Sequence, residues 1–168
     1  RWLSPERGLL RPDRFISYAE ESGLIVPLGR WVMLTVLEQI LEWRKQGIFL
    51  RVAVNVSARQ LIDQSIYTDL KLALDEAGLE CCPIDIELTE SCLMENESQA
   101  LVLMGEFQQL GASVHLDDFG TGYSSLSQLA RVPIDAIKLD QSFIRNVDEK
   151  TVSQSLVRAI VAVARALD

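Results

Sequence analysis

Residues 113–122 read Ser-Val-His-Leu-Asp-Asp-Phe-Gly-Thr-Gly. The mostly apolar run Ser113–Asp117 predicts a β-strand, and the two glycines after it predict a sharp loop. Asp117 and Asp118 are neighbours, so in a regular strand their side chains would point to opposite faces. Both carboxylates can therefore reach one site only if the strand ends between them and the glycines.

Strands and helices alternate on both sides of this stretch. Further strands are predicted at Leu50–Val56, Ile84–Thr89 and Ala136–Asp140, with helices at Pro12–Ser22, Pro27–Gln46, Ile66–Ala77, Glu95–Leu110, Ser124–Ala130 and Val152–Leu167. The turn-rich opening, Trp2–Pro12, predicts no regular element, whereas Ser57 is well placed to cap a helix. This order is typical of an α/β fold with a parallel sheet, and the apolar strands indicate that protein covers both sheet faces.

The size and composition of the chain limit its function. A closed β/α barrel needs about 250 residues, so these 168 residues form either an open sheet or an incomplete barrel. The net charge of −8 disfavours a binder of nucleic acid polymers. Three cysteines without metal-binding spacing favour a reducing, cytoplasmic location. The longest apolar stretch, residues 24–41, is interrupted by proline and charges, which predicts a buried amphipathic helix rather than a membrane span.

Four polar residues lie near the carboxyl ends of the four predicted strands: Asn55, Glu87, Asp117 and Lys138. Each alone is commonly a cap, a loop anchor or a solvated side chain, but their recurrence on consecutive strands favours a shared site. Their oxygens are ligands for Mg²⁺, Mn²⁺ or Ca²⁺. Asp117 and Asp118 can bridge two ions about 3.5–4 Å apart, an arrangement suited to phosphoryl chemistry. Lys138 can hold the attacking water or neutralise phosphate charge.

Three other side chains admit a simpler interpretation. His115, the only histidine, shares a strand face with Asp117. It is interpreted as a packed core residue, with a proton shuttle or ligand as the alternative. Trp31 and Trp43 are predicted to lie in the core along the long helix.

The string Asp-Asp-Phe-Gly-Thr-Gly-Tyr-Ser-Ser-Leu at residues 117–126 resembles the signature loop of EAL-domain phosphodiesterases. Matching blocks extend over nearly the whole chain. They are Arg1-Trp2, which resembles the end of the family's E-A-L-L-R-W segment, Phe15-Ile16, residues 19–25, residues 29–32, residues 54–57 with Gln60, residues 87–91, residues 138–140 and Ser142-Phe143.

The resemblance implies a TIM-like barrel of the EAL type, incomplete in this chain, with residues 1–168 forming a partial EAL domain. It implies hydrolysis of cyclic di-GMP to linear pGpG with Mg²⁺ or Mn²⁺ at a two-metal site. The implied metal ligands are Asn55, Glu87, Asp117 and Asp118, and Lys138 would hold the nucleophilic water. Arg1 would contact a substrate phosphate, and Asp140 is a weaker substrate-binding candidate. Glu90 would anchor the loop 119–125, which the family uses near its dimer interface.

Two glutamates of the family pattern lie outside the 168 residues, one just before Arg1 and one in an A-E-G-V-E strand after Asp168. The parent domain is therefore expected to be active and this fragment inactive. The alternatives are a degenerate EAL domain that senses cyclic di-GMP without cleaving it, and a purely structural or dimerising barrel. The resemblance also implies a homodimer and a fused sensory or GGDEF domain, with possible membrane tethering through another part of the parent.

Overall fold

The computed structural model describes residues 1–95, 97–120, 129–145, 147–148 and 151–166. Along the chain these residues form β1 (Trp2–Ser4), β2 (Gly8–Leu10), α1 (Ile16–Ser22), α2 (Ile25–Lys45), β3 (Val52–Asn55), α3 (Ala58–Asp63), α4 (Ser65–Glu76), β4 (Ile84–Thr89), α5 (Glu90–Glu95), α6 (Glu97–Gln109), β5 (Ser113–Phe119), β6 (Ala136–Leu139), α7 (Gln141–Ile144) and α8 (Thr151–Ala166). The helix predicted at Ser124–Ala130 falls mostly on residues outside these ranges.

Strands β3 to β6 form a parallel four-stranded sheet in sequential order. The predicted alternation of strands and helices is confirmed for β3, β4 and β5, which helices α3 to α6 connect, as parallel neighbours require a crossover connection. One sheet face is apolar and carries Val54, Ile86 and Val114, which are buried in a continuous core with helix residues such as Leu70 and Phe107. This core fixes the sheet against its helices and so sets the direction of every strand end.

The opposite face of the sheet is polar. Asn55, Glu87 and His115 are aligned across β3, β4 and β5, and Ala53 and Asn55 are exposed. The prediction that protein covers both faces is therefore wrong for Ala53 and Asn55 on β3, an edge strand of the described sheet, whereas Glu87 on β4 is buried. Apolar composition alone could not separate a strand buried on two faces from one whose alternate side chains line an open surface.

Helix α2 differs in part from its prediction. It begins at Ile25, two residues before Pro27, and the proline is tolerated because N–H groups in the first helical turn have no partner within the helix. The buried side of α2 carries Met33, Leu37 and Ile40. Trp31 is 63% exposed, which corrects its prediction as a core residue, whereas Trp43 packs against the core.

The opening of the chain is more regular than its turn-rich sequence predicts. Strands β1 and β2 form a short antiparallel hairpin in which Trp2 pairs with Leu10, and Gly8, the first residue of β2 after the turn, has φ 69°. Among the described residues, no single helix has the length and apolarity of a membrane span. Helices α1 and α2, bent by 120° at their break, reach those criteria only when taken together.

Candidate metal and active site

A row of polar side chains crosses the sheet near its carboxyl edge. Asn55 pairs with Glu87 in register, and Glu87 pairs with His115, which in turn faces Ala136. Paired residues in a sheet point to the same face, so the row lies on the polar face. Asp117 lies two residues after His115 on β5 and pairs with Thr89 of β4. The predicted strand-end residues thus share one face of the sheet, although Asp117 lies two residues further along its strand than the level of Asn55 and Glu87.

An irregularity in β5 shapes the carboxylate pair. Leu116 pairs with Ile137 and Phe119 with Leu139, so two residues of β5 oppose one residue of β6. Such a bulge bends the strand and re-aims a side chain. Asp118 adopts a left-handed backbone conformation, φ 53°, which Asp tolerates better than most residues. The expectation that the strand ends at Asp117 is wrong, because β5 continues to Phe119 and the bulge changes the direction of the chain.

The electrostatics around Asp118 show how closely the acidic groups lie. Burial raises the pKa of its carboxyl group, and the negative charges of Asp117 and Asp140 raise that pKa further. A carboxylate whose pKa is raised by neighbouring negative charges is stabilised in its charged form by a cation beside it. The described geometry therefore favours a positive partner at this corner of the sheet.

Glu87 and Lys138 are in direct contact. The Lys138 ammonium donates to Oε1 of Glu87, although the two residues lie on β4 and β6 with β5 between them. Glu87 is 5% exposed, and a buried carboxylate is stable only when it is paired. Sequence reasoning predicted that both residues belong to the site but did not predict that they pair with each other.

Glu90 connects the start of α5 to the loop that follows β5. Its side chain is buried, and Oε2 accepts a hydrogen bond from the Gly120 backbone N–H at 3.1 Å. Gly120 has φ 95°, and a Cβ atom added there would lie 2.8 Å from the Phe143 ring. The described part of the loop is thus held between a carboxylate and an aromatic ring. Residues 121–125, which the sequence also assigned to this anchored loop, lie outside the described ranges.

The two remaining candidates, Arg1 and Asp140, differ in their surroundings. Arg1 is exposed immediately before β1. Asp140 caps helix α7, where Oδ1 accepts the Ser142 N–H at 2.8 Å, and this hydrogen bond lowers the pKa of Asp140. Helix capping therefore accounts for Asp140 without a substrate contact.

Sequence reasoning missed a groove beside the row. Its cavity of about 780 Å³ lies between α2 and the carboxyl ends of β3 and β4, and its lining includes Gly29, Asn55, Gln60 and Thr89. Gln60 is 2% exposed, and its Oε1 accepts hydrogen bonds from the backbone N–H and hydroxyl of Ser57. Its Nε2 is buried without a hydrogen-bond partner among the described residues. The Ser-x-x-Gln spacing of a capping box was the signal for this buried amide.

The donor chemistry fits a hard divalent cation. Three carboxylates, Glu87, Asp117 and Asp118, and the Asn55 amide share the carboxyl edge with a single ammonium group, and oxygen donors of this kind suit Mg²⁺ or Mn²⁺. As arranged, the described residues hold no group of three or more His, Cys, Asp or Glu side chains close enough to share an ion. The Asn55 amide is not one of these four residue types, and the Glu87 carboxylate already accepts a hydrogen bond from Lys138.

The fold and site together define a parallel α/β domain of the barrel type with an acidic site at the carboxyl ends of its strands. The family model described as "EAL domain" matches residues 1–168, and the chain belongs to the EAL domain family. The four described parallel strands are accordingly part of the TIM-like barrel of that family, which confirms the fold predicted from the sequence.

Several named proteins are similar to the chain. Cyclic di-GMP phosphodiesterase PdeR of Escherichia coli is 70% identical over 168 residues, which are 100% of this chain and 25% of PdeR. Cyclic di-GMP phosphodiesterase NbdA of Pseudomonas aeruginosa is 42% identical over 99% of this chain and 22% of NbdA. The solved structure "PaMucR Phosphodiesterase, c-di-GMP complex" has a TM-score of 0.90 and 36% identity, covering 99% of this chain and 68% of that one. The chain spans about a quarter of the length of the curated relatives it matches.

Proposed function

We propose that the protein containing residues 1–168 hydrolyses one phosphodiester bond of cyclic di-GMP to give linear pGpG, using Mg²⁺ or Mn²⁺. The observation that carries this proposal is the placement of Glu87, Asp117, Asp118 and Lys138 near the carboxyl ends of neighbouring strands, with Lys138 in contact with Glu87 across the bulged strand β5. The names of PdeR and NbdA as cyclic di-GMP phosphodiesterases support the same substrate.

Each residue then has a defined task. Asn55, Glu87, Asp117 and Asp118 would hold the cations, and a bound cation of this kind activates water and offsets phosphate charge. Lys138 orients the attacking water and stabilises the charge that develops on the phosphate oxygens. Glu90 keeps the loop after β5 in place through the Gly120 N–H.

Two further residues act on the substrate rather than on the cations. The forked guanidinium donors of Arg1 suit a substrate phosphate. Asp140 remains a weaker substrate-binding candidate, because its carboxylate already caps α7.

The surroundings of the reaction belong to the same proposal. The relatives' greater length supports further domains, such as a sensory or GGDEF domain, in the whole protein. We further propose a cytoplasmic location and a homodimer formed through the EAL domain. Residues 1–168 alone are expected to be inactive, since β3 and β6 are the edge strands of the described sheet and the two family glutamates lie outside this range.

The proposal is tested by measuring conversion of cyclic di-GMP to pGpG with Mn²⁺. The assay compares residues 1–168, the natural full-length protein, and that protein carrying Asp117→Asn or Asp75→Asn. Asp75 is an exposed carboxylate on α4 and serves as the matched control. Turnover by the full-length protein that Asp117→Asn abolishes and Asp75→Asn preserves is the expected result. Tight binding of cyclic di-GMP without cleavage would instead identify a sensor and refute the catalytic proposal.

A further inference from the structure

The contact between Lys138 and Glu87 spans three strands. Neighbouring strands lie about 4.8 Å apart, so β4 and β6 are separated by roughly twice that distance across β5. Both side chains must extend toward each other over β5 to meet. His115, the residue of β5 that pairs with Glu87 on one side and with Ala136 on the other, lies on the sheet face that this path crosses. The contact therefore depends on a specific arrangement of the polar face rather than on proximity along the chain.

Glu87 depends on this ammonium for its charge balance. The Glu87 side chain is 6% exposed, whereas the Lys138 side chain is 42% exposed. Within the described ranges, Lys138 is the cation found in a salt bridge with Glu87. Arg51 forms its salt bridge with Asp85 instead, near the amino ends of the strands. A buried carboxylate that loses its only cationic partner is strongly destabilised unless another cation replaces it.

A divalent cation and the Lys138 ammonium would repel each other at Glu87. Even if the two cations used different oxygens of the carboxylate, they would stand only a few ångströms apart in a partly desolvated site, where repulsion between like charges is strong. Binding of one cation therefore weakens binding of the other.

We propose that the Lys138 ammonium is the intrinsic counter-ion of Glu87 and that a divalent cation must displace it. Metal binding is then coupled to release of the lysine side chain toward the substrate. The displacement is inferred from the contact between Lys138 and Glu87. The role of the released ammonium at the substrate phosphate rests on the function proposed above. The coupling also explains how one lysine can stabilise Glu87 before metal binding and serve the phosphate afterwards.

Thermodynamic linkage sets how strongly the Lys138 ammonium weakens metal binding. Two binding events that oppose each other weaken each other by the same factor, typically about 5- to 150-fold. Removing the ammonium should therefore tighten metal binding by about tenfold, within that range. A lysine whose only role is to hold water in the loaded site would leave the metal affinity unchanged.

The first measurement is Mn²⁺ binding to the natural full-length protein without substrate, by calorimetry. Lys138→Met is expected to bind Mn²⁺ about tenfold more tightly than the unmodified protein. Lys71→Met is the matched control, because Lys71 is an exposed cation on α4, and its removal should leave Mn²⁺ affinity unchanged. Equal or weaker Mn²⁺ binding by Lys138→Met would overturn the displacement.

A second measurement needs no variant. Trace acetylation of the unmodified protein, followed by peptide mass spectrometry, reports how accessible each lysine amine is. Addition of Mg²⁺ should raise the labelling of Lys138 severalfold relative to Lys71, and an unchanged ratio would overturn the proposal. Failure of the proposed function gives a different result, because a protein that shows both effects but never cleaves cyclic di-GMP retains the displacement and loses the phosphodiesterase assignment.

Discussion

Two glycines that lie inside helices should respond to alanine in opposite directions. Gly29 lies on the buried side of α2, and a Cβ atom there would lie 1.8 Å from Nε2 and 2.7 Å from Cδ of Gln60. Gly105 lies in α6, and a Cβ atom there meets nothing within 4 Å. Alanine stabilises a helix interior by about 1 kcal/mol relative to glycine. The difference in stability between the Gly29→Ala and Gly105→Ala variants therefore measures the effect of the contact with Gln60.

The cost at Gly29 has two parts. Crowding a packed interior costs about 1–3 kcal/mol. If Gln60 moves away, its hydrogen bonds with Ser57 are lost as well, and loss of a helix N-cap costs about 0.5–2 kcal/mol. After the gain in helix propensity, Gly29→Ala should destabilise the chain by about 2 kcal/mol. For a protein of this size the melting temperature then falls by about 4–8 °C.

Thermal unfolding followed by circular dichroism measures both variants. Gly105→Ala should unfold at the same or a slightly higher temperature than the unmodified chain. In a chain that already carries Gln60→Ala, the Gly29→Ala substitution should cost little, because the crowded side chain has been removed. If Gly29→Ala is as benign as Gly105→Ala, or equally harmful with and without Gln60, the reasoning from this contact is wrong.

Three further predictions follow from the loop, the thiols and the acidic corner. Gly120→Ala should destabilise the loop after β5 and lower Mn²⁺ affinity, because its added methyl meets the Phe143 ring at 2.8 Å in a left-handed backbone conformation; calorimetry measures the affinity. Burial raises the pKa of the Cys92 thiol to about 12, so iodoacetamide at neutral pH should label exposed Cys81 and spare Cys92, as peptide mass spectrometry will show. The raised pKa of Asp118 should make Mn²⁺ affinity fall in mild acid, since the protonated carboxyl group cannot bind the ion.

Each of these predictions has a control. Gly8→Ala shares the positive φ of Gly120 but adds a methyl in open space, so it should leave Mn²⁺ affinity unchanged.

Because the folded pKa of Cys92 lies above its unfolded value, the contribution of this thiol to stability is complete below about pH 8.5 and is lost as the pH rises toward the folded value. Labelling of Cys92 in the native protein as fast as Cys81 would contradict its burial.

The contribution of Asp118 to stability changes with pH in the same direction as that of Cys92. Its folded pKa is raised, so it stabilises the fold most when protonated and loses that contribution as the pH rises through the folded pKa, while metal affinity grows over the same range. Asp140→Asn removes one of the charges that raise this pKa and should shift the loss of Mn²⁺ affinity to lower pH. An unchanged pH profile in Asp140→Asn would show that the charge of Asp140 does not raise the Asp118 pKa, and would contradict the prediction.

The sequence by itself determined the alternation of strands and helices and the identity of the residues at the carboxyl edge. Asn55, Glu87 and Asp117 could be predicted to lie near one another because parallel strands joined by helices must align their carboxyl ends. The Ser57 cap was also predictable, since capping depends on residues close in sequence. Local chemistry and strand direction are enough for these inferences.

Other features depended on contacts between distant parts of the chain. The spacing of apolar residues on α2 is compatible with more than one buried side, and packing against α3 and α4 selected the side that leaves Trp31 exposed. The bulge at Asp118 arises where β5 meets β6, so no local pattern specifies it. The Lys138–Glu87 pair joins residues 51 positions apart across an intervening strand. Tertiary structure decided these features because register and packing, rather than residue type, determine which buried charges meet.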